Sequence, residues 1–399
     1  MRRVTGQRSA MPLPRLCGLL VGGTLLVLAA AAVGDEPGGR PAGQVTAADR
    51  AADRAAGTGC RLRIACFNVE NLAAPGEQSR MNRFRFEPAR RRHLERVAAV
   101  IEALAPEIVV LPEVVSNRGV EALAAILREK GLAEYRGWHV DGSDVFSGFD
   151  VAILARIEPD LVDGKRITIH VPAKKSARRR DDAEPAGPAQ AAADDAWLRQ
   201  AYTTVDDTGR ERAEEAVLQR HALAYFTVCG RKLGILGVHL KSNPSDRSAN
   251  AQRTAETRIA RDIIRREIVA RGYLPVVLGD INDYDPDVPM ADQRRKTQTT
   301  VLRDLKDFDP DREGAELVNV ASFIPRVADR YTSHWDFNEN GGPDSDDVMT
   351  MIDHILVPRE LEPAIRRAFI CHATDLDVSD HFPVVVDLDF GAAESGADR

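Results

Sequence analysis

Apolar positions along the chain form short strand-like runs separated by longer stretches with helical spacing, and this alternation occurs twice. The first copy opens on a strand-like run over residues 62–68, ending in Asn68-Val69-Glu70-Asn71, and continues into a helix marked by Leu94, Val97, Ile101 and Leu104. A short apolar run over 108–111 then leads to Glu113. The second copy starts with a strand over 233–240 that carries His239 and is followed by Lys241. Its helix, residues 250–271, has Ile259, Ile263, Ile264 and Ile268 as the apolar stripe, and the next strand, 274–278, runs into Gly279-Asp280-Ile281-Asn282-Asp283. Asn68 and Glu113 stand 45 positions apart, and His239 and Asp280 stand 41 apart. Matching order and spacing predict two related strand–helix–strand halves of one α/β domain.

The polar residues sit just past the C-terminal ends of these strands, where open α/β sheets place their ligands. Two later runs, 350–357 and 382–388, read as antiparallel strands, with Asp353 near the start of one and Asp380-His381 just before the other. Starts of antiparallel strands lie at the same sheet edge as the ends of their neighbours. Asn68, Glu113, His239, Asp280, Asn282, Asp353, Asp380 and His381 are therefore expected on one rim.

Outside this pattern the chain changes character. Arg2, Arg3, Arg8 and Arg15 precede an apolar run over 16–33, with small residues to Gly34 and no acid before Asp35. This reads as a secretory signal peptide over 1–34, or as a membrane anchor if it is not cleaved. The expected location is outside the cytoplasm, secreted or periplasmic, with no stable span after processing. Residues 35–59 are a flexible linker, 60–390 the folded domain, and 391–399 a disordered tail. Within the domain, residues 172–216 are read as a low-complexity surface insertion, disordered or weakly helical. Removing 1–34 takes away four Arg and no acid, moving the formal charge from −7 to −11, which excludes a generic basic nucleic-acid-coating protein. Cys60, Cys66, Cys229 and Cys371 remain after processing and allow one or two disulfides, although Cys66 and Cys229 lie in apolar runs that also suit buried thiols.

The chemistry follows from residue type. A phosphodiester repels nucleophiles and has a poor leaving group, and magnesium or manganese answers both by neutralising charge and polarising the phosphoryl oxygen. Such hard cations take oxygen ligands and keep several waters. Glu113, Asp380, Asp280, Asn68 and Asn282 supply an oxygen-rich set. His381, with Asp353 as its carboxylate partner, has the base-plus-orienter form suited to activating water. His239 and Lys241 add donors to a phosphoryl oxygen.

Alone, a Glu after a strand is usually a solvated turn residue and a His a satisfied structural one. The set carries the signal: Leu111-Pro112-Glu113-Val114, Gly237-Val238-His239-Leu240-Lys241-Ser242, Gly279-Asp280-Ile281-Asn282 and Ser379-Asp380-His381-Phe382-Pro383-Val384. With these motifs the chain resembles the endonuclease/exonuclease/phosphatase superfamily over about residues 61–390. The resemblance implies a four-layer α/β sandwich, two central mixed β-sheets flanked by helices. It implies that Glu113 and Asn68 hold the main metal. It gives Asp280 and Asn282 the water and the transition-state phosphate, and His239 a phosphate contact. The Asp353–His381 pair becomes base or phosphate donor, and Arg220 in Arg220-His221-Ala222-Leu223 a second phosphate ligand. The chain departs from the family at Ile281 and at Asp283, which is expected to add negative charge beside the metal, and in the 172–216 insertion.

One further motif stands outside the resemblance. Asp336-x-Asn338-x-Asn340-Gly341, then Asp344 and Asp347, has the spacing of an EF-hand-like calcium loop, without evident flanking helices; an acidic surface loop is the alternative. The substrate expected first is nucleic acid, cleaved by a monomeric secreted nuclease. Arg80, Arg83, Arg85, Arg90, Arg91, Arg92 and Arg96 form a basic segment after Asn68, and Phe84, Phe86, Trp138, Trp335 and Phe337 offer stacking faces. The alternative substrate is a phospholipid or inositol phosphate, for which a membrane-entering apolar hairpin was not evident. A catalytically dead binding protein is disfavoured because Glu113, Asp280 and His381 are all present.

Overall fold

The computed structural model describes residues 59–77, 91–172, 195–206, 208–336, 338, 344, 346–374, 376 and 378–391. The expected signal peptide, nearly all of the linker and tail, Arg80, Arg83, Arg85, Arg90 and Asn340 lie outside these residues.

The first half runs β1 (Arg61–Cys66), α1 (Arg91–Leu104), β2 (Ile108–Val114), α2 (Asn117–Glu129), β3 (Arg136–His139) and β4 (Asp150–Ala155). A hairpin of β5 (Gln200–Val205) and β6 (Glu211–Ala216) precedes β7 (His221–Val228) and β8 (Arg231–His239). Next come α3 (Arg247–Ile263), β9 (Leu274–Asp280), α4 (Val301–Lys306) and β10 (Leu317–Asn319). The chain closes with β11 (Ser333–Trp335), β12 (Val348–Thr350), β13 (Asp353–Pro358), β14 (Ile365–Ile370) and β15 (Val384–Asp389).

Two mixed sheets result, in the orders β14-β15-β1-β2-β4-β3 and β10-β13-β9-β8-β7. Both sequence halves form as expected: β1 is parallel to β2, and β8 is parallel to β9 in the other sheet. The crossovers α1 and α3 each return the chain to the starting edge.

The period of two along each strand sorts side chains to two faces. Ile64, Ile108, Val110, Ile153, Ile235 and Val276 fill the core between the sheets. Their alternating neighbours Ala65, Val109 and Leu154 meet Leu94, Val97 and Ile101 of α1 and Leu123 of α2. On the far side, Leu236, Val238 and Val277 meet Ile259 and Ile263 of α3 and Leu302 of α4. The order helix–sheet–sheet–helix is the four-layer sandwich. Each fully buried Ile or Leu contributes roughly 1.5–3 kcal/mol relative to an exposed one.

The sheets approach closely beneath β8. A β-carbon on Gly237 would lie 2.7 Å from a Val110 methyl and 2.9 Å from a Val151 methyl. Helix α3 begins with Asp246 as N-cap, its carboxylate accepting from the Ala249 amide at 2.7 Å. The helical stretch expected to Arg271 passes through a π turn over Ile264–Ile268 and a 3-10 turn before Gly272, in the left-handed conformation, ends it.

Cys60 and Cys229 form a disulfide across 169 positions. It joins the residue before β1 in one sheet to the β7–β8 turn in the other, so Cys229 is not a free thiol. Cys66 is free and buried, and Cys371 is free.

The insertion is a correction. Residues 173–194 and 207 lie outside the described set, but 200–206 and 208–216 are neither disordered nor helical. They pair as β5 and β6 in register from Gln200–Ala216 to Val205–Glu211. Alternate residues of β5 are half-buried, so a polar-looking ribbon still presents one covered face. Among the described residues, no helix is long and apolar enough to cross a membrane.

Candidate active site

Every strand end named from the sequence arrives at one edge. β13 pairs with β9 so that Asp353 lies opposite Asp280, and β8 pairs with β9 so that His239 lies beside Asp280. β15 pairs with β1, setting Val384 opposite Cys66, and the Asp380-His381 turn leads into it. The Asn68 amide then joins the two sheets, donating from Nδ2 to Glu113 Oε1 and to Asp280 Oδ2, each at 3.2 Å.

Local backbone makes these positions specific. Gly279 has φ +149°, and a β-carbon there would fall 1.8 Å from the Val238 carbonyl oxygen. Only glycine permits that approach, which delivers Asp280 to the edge. Glu113 and Asn282 are left-handed, at φ 66° and 57°. Non-glycine residues in that region store roughly 1–3 kcal/mol and cluster at functional sites. Ser379, fully buried, donates from Oγ to the Asn68 carbonyl at 2.8 Å and accepts from the His381 amide at 3.0 Å. It ties the first and last motifs together.

His381 Nδ1 meets Asp353 Oδ2 at 2.7 Å. Its Nε2 is turned toward Asp280 Oδ2, 4.0 Å away, and Asp380 Oδ1, 3.9 Å away. His239 Nε2 lies 3.6 Å from Asp280 Oδ2 and 3.9 Å from Glu113 Oε1. The Asn282 amide donates to Asp280 Oδ1 at 3.1 Å, and its side-chain nitrogen to the Leu240 carbonyl at 3.3 Å. Arg220 also reaches that carbonyl, at 3.0 Å.

The electrostatics divide the two histidines. Burial, then Arg220, His381 and Lys241, hold the His239 imidazole well below its usual value, so it is neutral at pH 7. Burial would lower His381 too, but Asp353, Asp380 and Asp280 outweigh it and raise that group well above the usual value. Burial, with Asp353 adding to it, pushes the Asp280 carboxyl up to about 8. Burial and Asp380 raise Glu113 as well.

These shifts describe a cluster of carboxylates short of positive charge. Glu113 Oε2 is buried with no hydrogen-bond partner, and Glu113, His239 and Asp280 converge closely enough to hold one ion. A hard divalent cation fits the two carboxylates of that set, because it supplies the missing charge and takes carboxylate oxygen.

Two expectations change. Asp283 does not face this cluster. Its carboxylate is held by Arg253 Nε at 3.1 Å and by the hydroxyls of Thr297 and Thr299 at 2.7 and 2.5 Å. Arg253 is completely buried and also donates to the Lys241 carbonyl at 2.6 Å, so the pair braces the loops on either side of the site. The sequence pattern hid this because Arg253 lies on a helix 30 positions away. In the basic segment, Arg91 is paired with Glu95 at 2.7 Å and with Glu129.

One feature was missed. The loop over 140–149 lies at the same edge, since Val114, beside Glu113, pairs with Asp150. His139 Nε2 and the Gly142 amide hold Asp150 at 2.9 and 2.7 Å, and the tip exposes Val145 and Phe146 by 78% and 75%.

The endonuclease/exonuclease/phosphatase family model matches residues 65–381, spanning every motif above. The chain belongs to this family. The activity of the chain is accordingly metal-dependent phosphoester hydrolysis. No curated protein matches the sequence. Among solved structures, the chain is similar to truncated TDP2 from Caenorhabditis elegans, at 15% identity and TM-score 0.45, over 82% of this chain and 98% of that one. It is similar to a 3'-5' exonuclease from Neisseria meningitidis, at 19% identity and TM-score 0.47, over 82% and 100%. An endonuclease/exonuclease/phosphatase family protein from Leptotrichia buccalis is similar at 12% identity and TM-score 0.49, over 82% and 100%.

Proposed function

We propose that this chain is an exported nuclease that uses magnesium or manganese to hydrolyse phosphodiester bonds in DNA or RNA. The observation that carries the reading is the carboxylate cluster with its unpartnered Glu113 oxygen, set against the His381–Asp353 pair. Glu113 and Asp380 would hold the cation through carboxylate oxygens, and Asn68, whose Nδ2 faces Glu113 and Asp280, would join them by turning its amide oxygen inward. When bound, it neutralises and polarises the phosphoryl oxygens.

The chain's own groups do the rest. Asp353 fixes the His381 ring through Nδ1, leaving Nε2 to donate to a phosphoryl oxygen. Asp280, oriented by the Asn282 amide and ionised where the cation would supply the missing positive charge, would take the proton of the attacking water as the P–O bond to the leaving oxygen breaks. His239, neutral, lies beside both carboxylates and offers a second donor. Arg220 and Lys241 add positive charge at the phosphate.

Nucleic acid is favoured by Trp335, which is 60% exposed at the end of β11, the strand bridged to His381 through Ser333. An exposed aromatic ring beside a phosphate site suits base stacking. The Val145–Phe146 tip favours a second reading, a phospholipid whose acyl region meets an apolar loop. Export is supported by the N-terminal pattern and by the Cys60–Cys229 disulfide, since structural disulfides persist mainly in oxidising compartments.

The test is hydrolysis of plasmid DNA, RNA, sphingomyelin vesicles and inositol phosphates, with magnesium and with chelator. Magnesium-dependent cleavage of DNA or RNA is expected. Turnover of lipid or inositol phosphate with nucleic acid left intact would overturn the nuclease reading.

A further inference from the structure

The β11–β12 hairpin carries the acidic loop singled out from the sequence. Residues 336–347 contain five acids and no Lys or Arg. Strands, not helices, flank the loop, and β11 pairs with β12 from Ser333–Thr350 to Trp335–Val348. Asp347 closes it. The Asp347 side chain is fully buried, and its Oδ2 accepts from the Asp344 amide at 2.9 Å and meets His334 Nε2 at 2.6 Å. Its other oxygen, Oδ1, is buried with no hydrogen-bond partner. A carboxylate with one oxygen held by histidine and the other unpartnered is the arrangement of a metal ligand braced from behind.

We propose that this loop binds calcium through Asp336, Asn338, Asp344 and Asp347, at a site separate from the catalytic cluster. The positions match those that supply side-chain oxygens in a twelve-residue calcium loop, with Asp in place of the final Glu. Calcium accepts six to eight oxygen ligands in an adaptable geometry, whereas magnesium demands a tight octahedron. Extracellular modules of this kind bind at about 0.1–1 mM.

The site connects to the proposed catalytic rim through β11. His334 holds Asp347 with its ring, and its backbone amide donates to the Asp380 carbonyl at 2.8 Å. The adjacent Ser333 bridges to His381. Calcium in the loop therefore fixes the strand against which the Asp380-His381 turn is hydrogen-bonded.

Terbium is the probe, because Trp335 neighbours Asp336 and can sensitise its emission. The metal-stripped mature protein should show saturable terbium emission that calcium displaces at concentrations at least about tenfold below magnesium. Asp336→Asn and Asp347→Asn should each weaken terbium binding at least tenfold, while Glu113→Gln should not. Asp336 is half-buried, so its amide variant provides the reading if Asp347→Asn fails to fold. Trp335→Phe should abolish emission yet keep the calcium-induced rise in melting temperature. Emission that follows Glu113→Gln instead of Asp336→Asn, or no saturable emission, would overturn the proposal. Neither readout requires a substrate, so failure here is distinct from failure of the nuclease assignment.

Discussion

Replacing both Cys60 and Cys229 by Ser removes the disulfide between the two sheets, the only cross-link besides the backbone among the described residues. The disulfide closes a loop of 169 positions, and for that length the chain-entropy relation gives about 5 kcal/mol at 25 °C. Measured effects rarely exceed that figure, so a loss of roughly 3–5 kcal/mol is expected. A domain of this size has a urea m-value at or above about 3 kcal/mol/M, so the midpoint should fall by up to roughly 1–1.7 M. The m-value should rise, because the unlinked chain expands further when unfolded. Thiol titration provides the covalent check. The mature protein, unfolded without reductant, should release two thiols, from Cys66 and Cys371. Four thiols in exported material, or an unchanged midpoint in the double variant, would refute the reasoning. Activity per folded molecule should survive, because the bridge joins the ends of β1 and β8 opposite those that carry Asn68 and His239.

Glu113→Gln, Asp280→Asn and His381→Ala should each lower phosphodiesterase turnover at least about a hundredfold with little change in metal-free melting temperature, and near-normal rates in all three would remove the site assignment. Asp283→Asn should act on stability, costing roughly 3–5 kcal/mol by urea titration, because it leaves the Arg253 guanidinium buried without its carboxylate. His221 accepts from the His170 amide through Nε2 and meets the Leu218 carbonyl through Nδ1, and burial followed by the nearby His170 lowers its imidazole to about 3. The unfolded chain binds that proton first, so stability should fall as pH drops from about 6.5 toward 3, by up to about 1.4 kcal/mol per pH unit. His221→Gln should flatten that slope in acid titrations followed by circular dichroism, and an identical slope would count against it.

The two strand–helix–strand halves were legible because their cores are periodic: Leu94, Val97, Ile101 and Leu104 in one helix, Ile259 and Ile263 in the other, all face a sheet. The rim was legible because each polar group sits one or two residues from the end of an apolar strand. Asp283 was not, since its partner Arg253 meets it only after α3 packs onto β8 and β9. The hairpin over 200–216 was also hidden. Its Glu, Arg and Thr composition reads as solvated, and its half-covered face exists only against neighbouring structure. Val145 and Phe146 sit among Asp, Ser and Gly, and only the pairing of β2 with β4 places them at the rim. The calcium-loop spacing was plain, but the unpartnered Asp347 oxygen and the His334 connection required coordinates.

The close approach at Gly237 sets a condition on how this protein can vary. The Asn68 amide spans from Glu113 in one sheet to Asp280 in the other, so the candidate site groups measure the gap between the sheets. That gap is fixed by a missing side chain on β8 facing Val110 and Val151 on the opposite sheet. Residues with no chemistry of their own thus constrain one another across the interface. A hybrid enzyme built from the first half of one relative and the second half of another would carry every motif intact. It would still fail wherever the bulk opposite Gly237 was mismatched, so compatible halves must be chosen by their buried facing surfaces, not by their active-site residues.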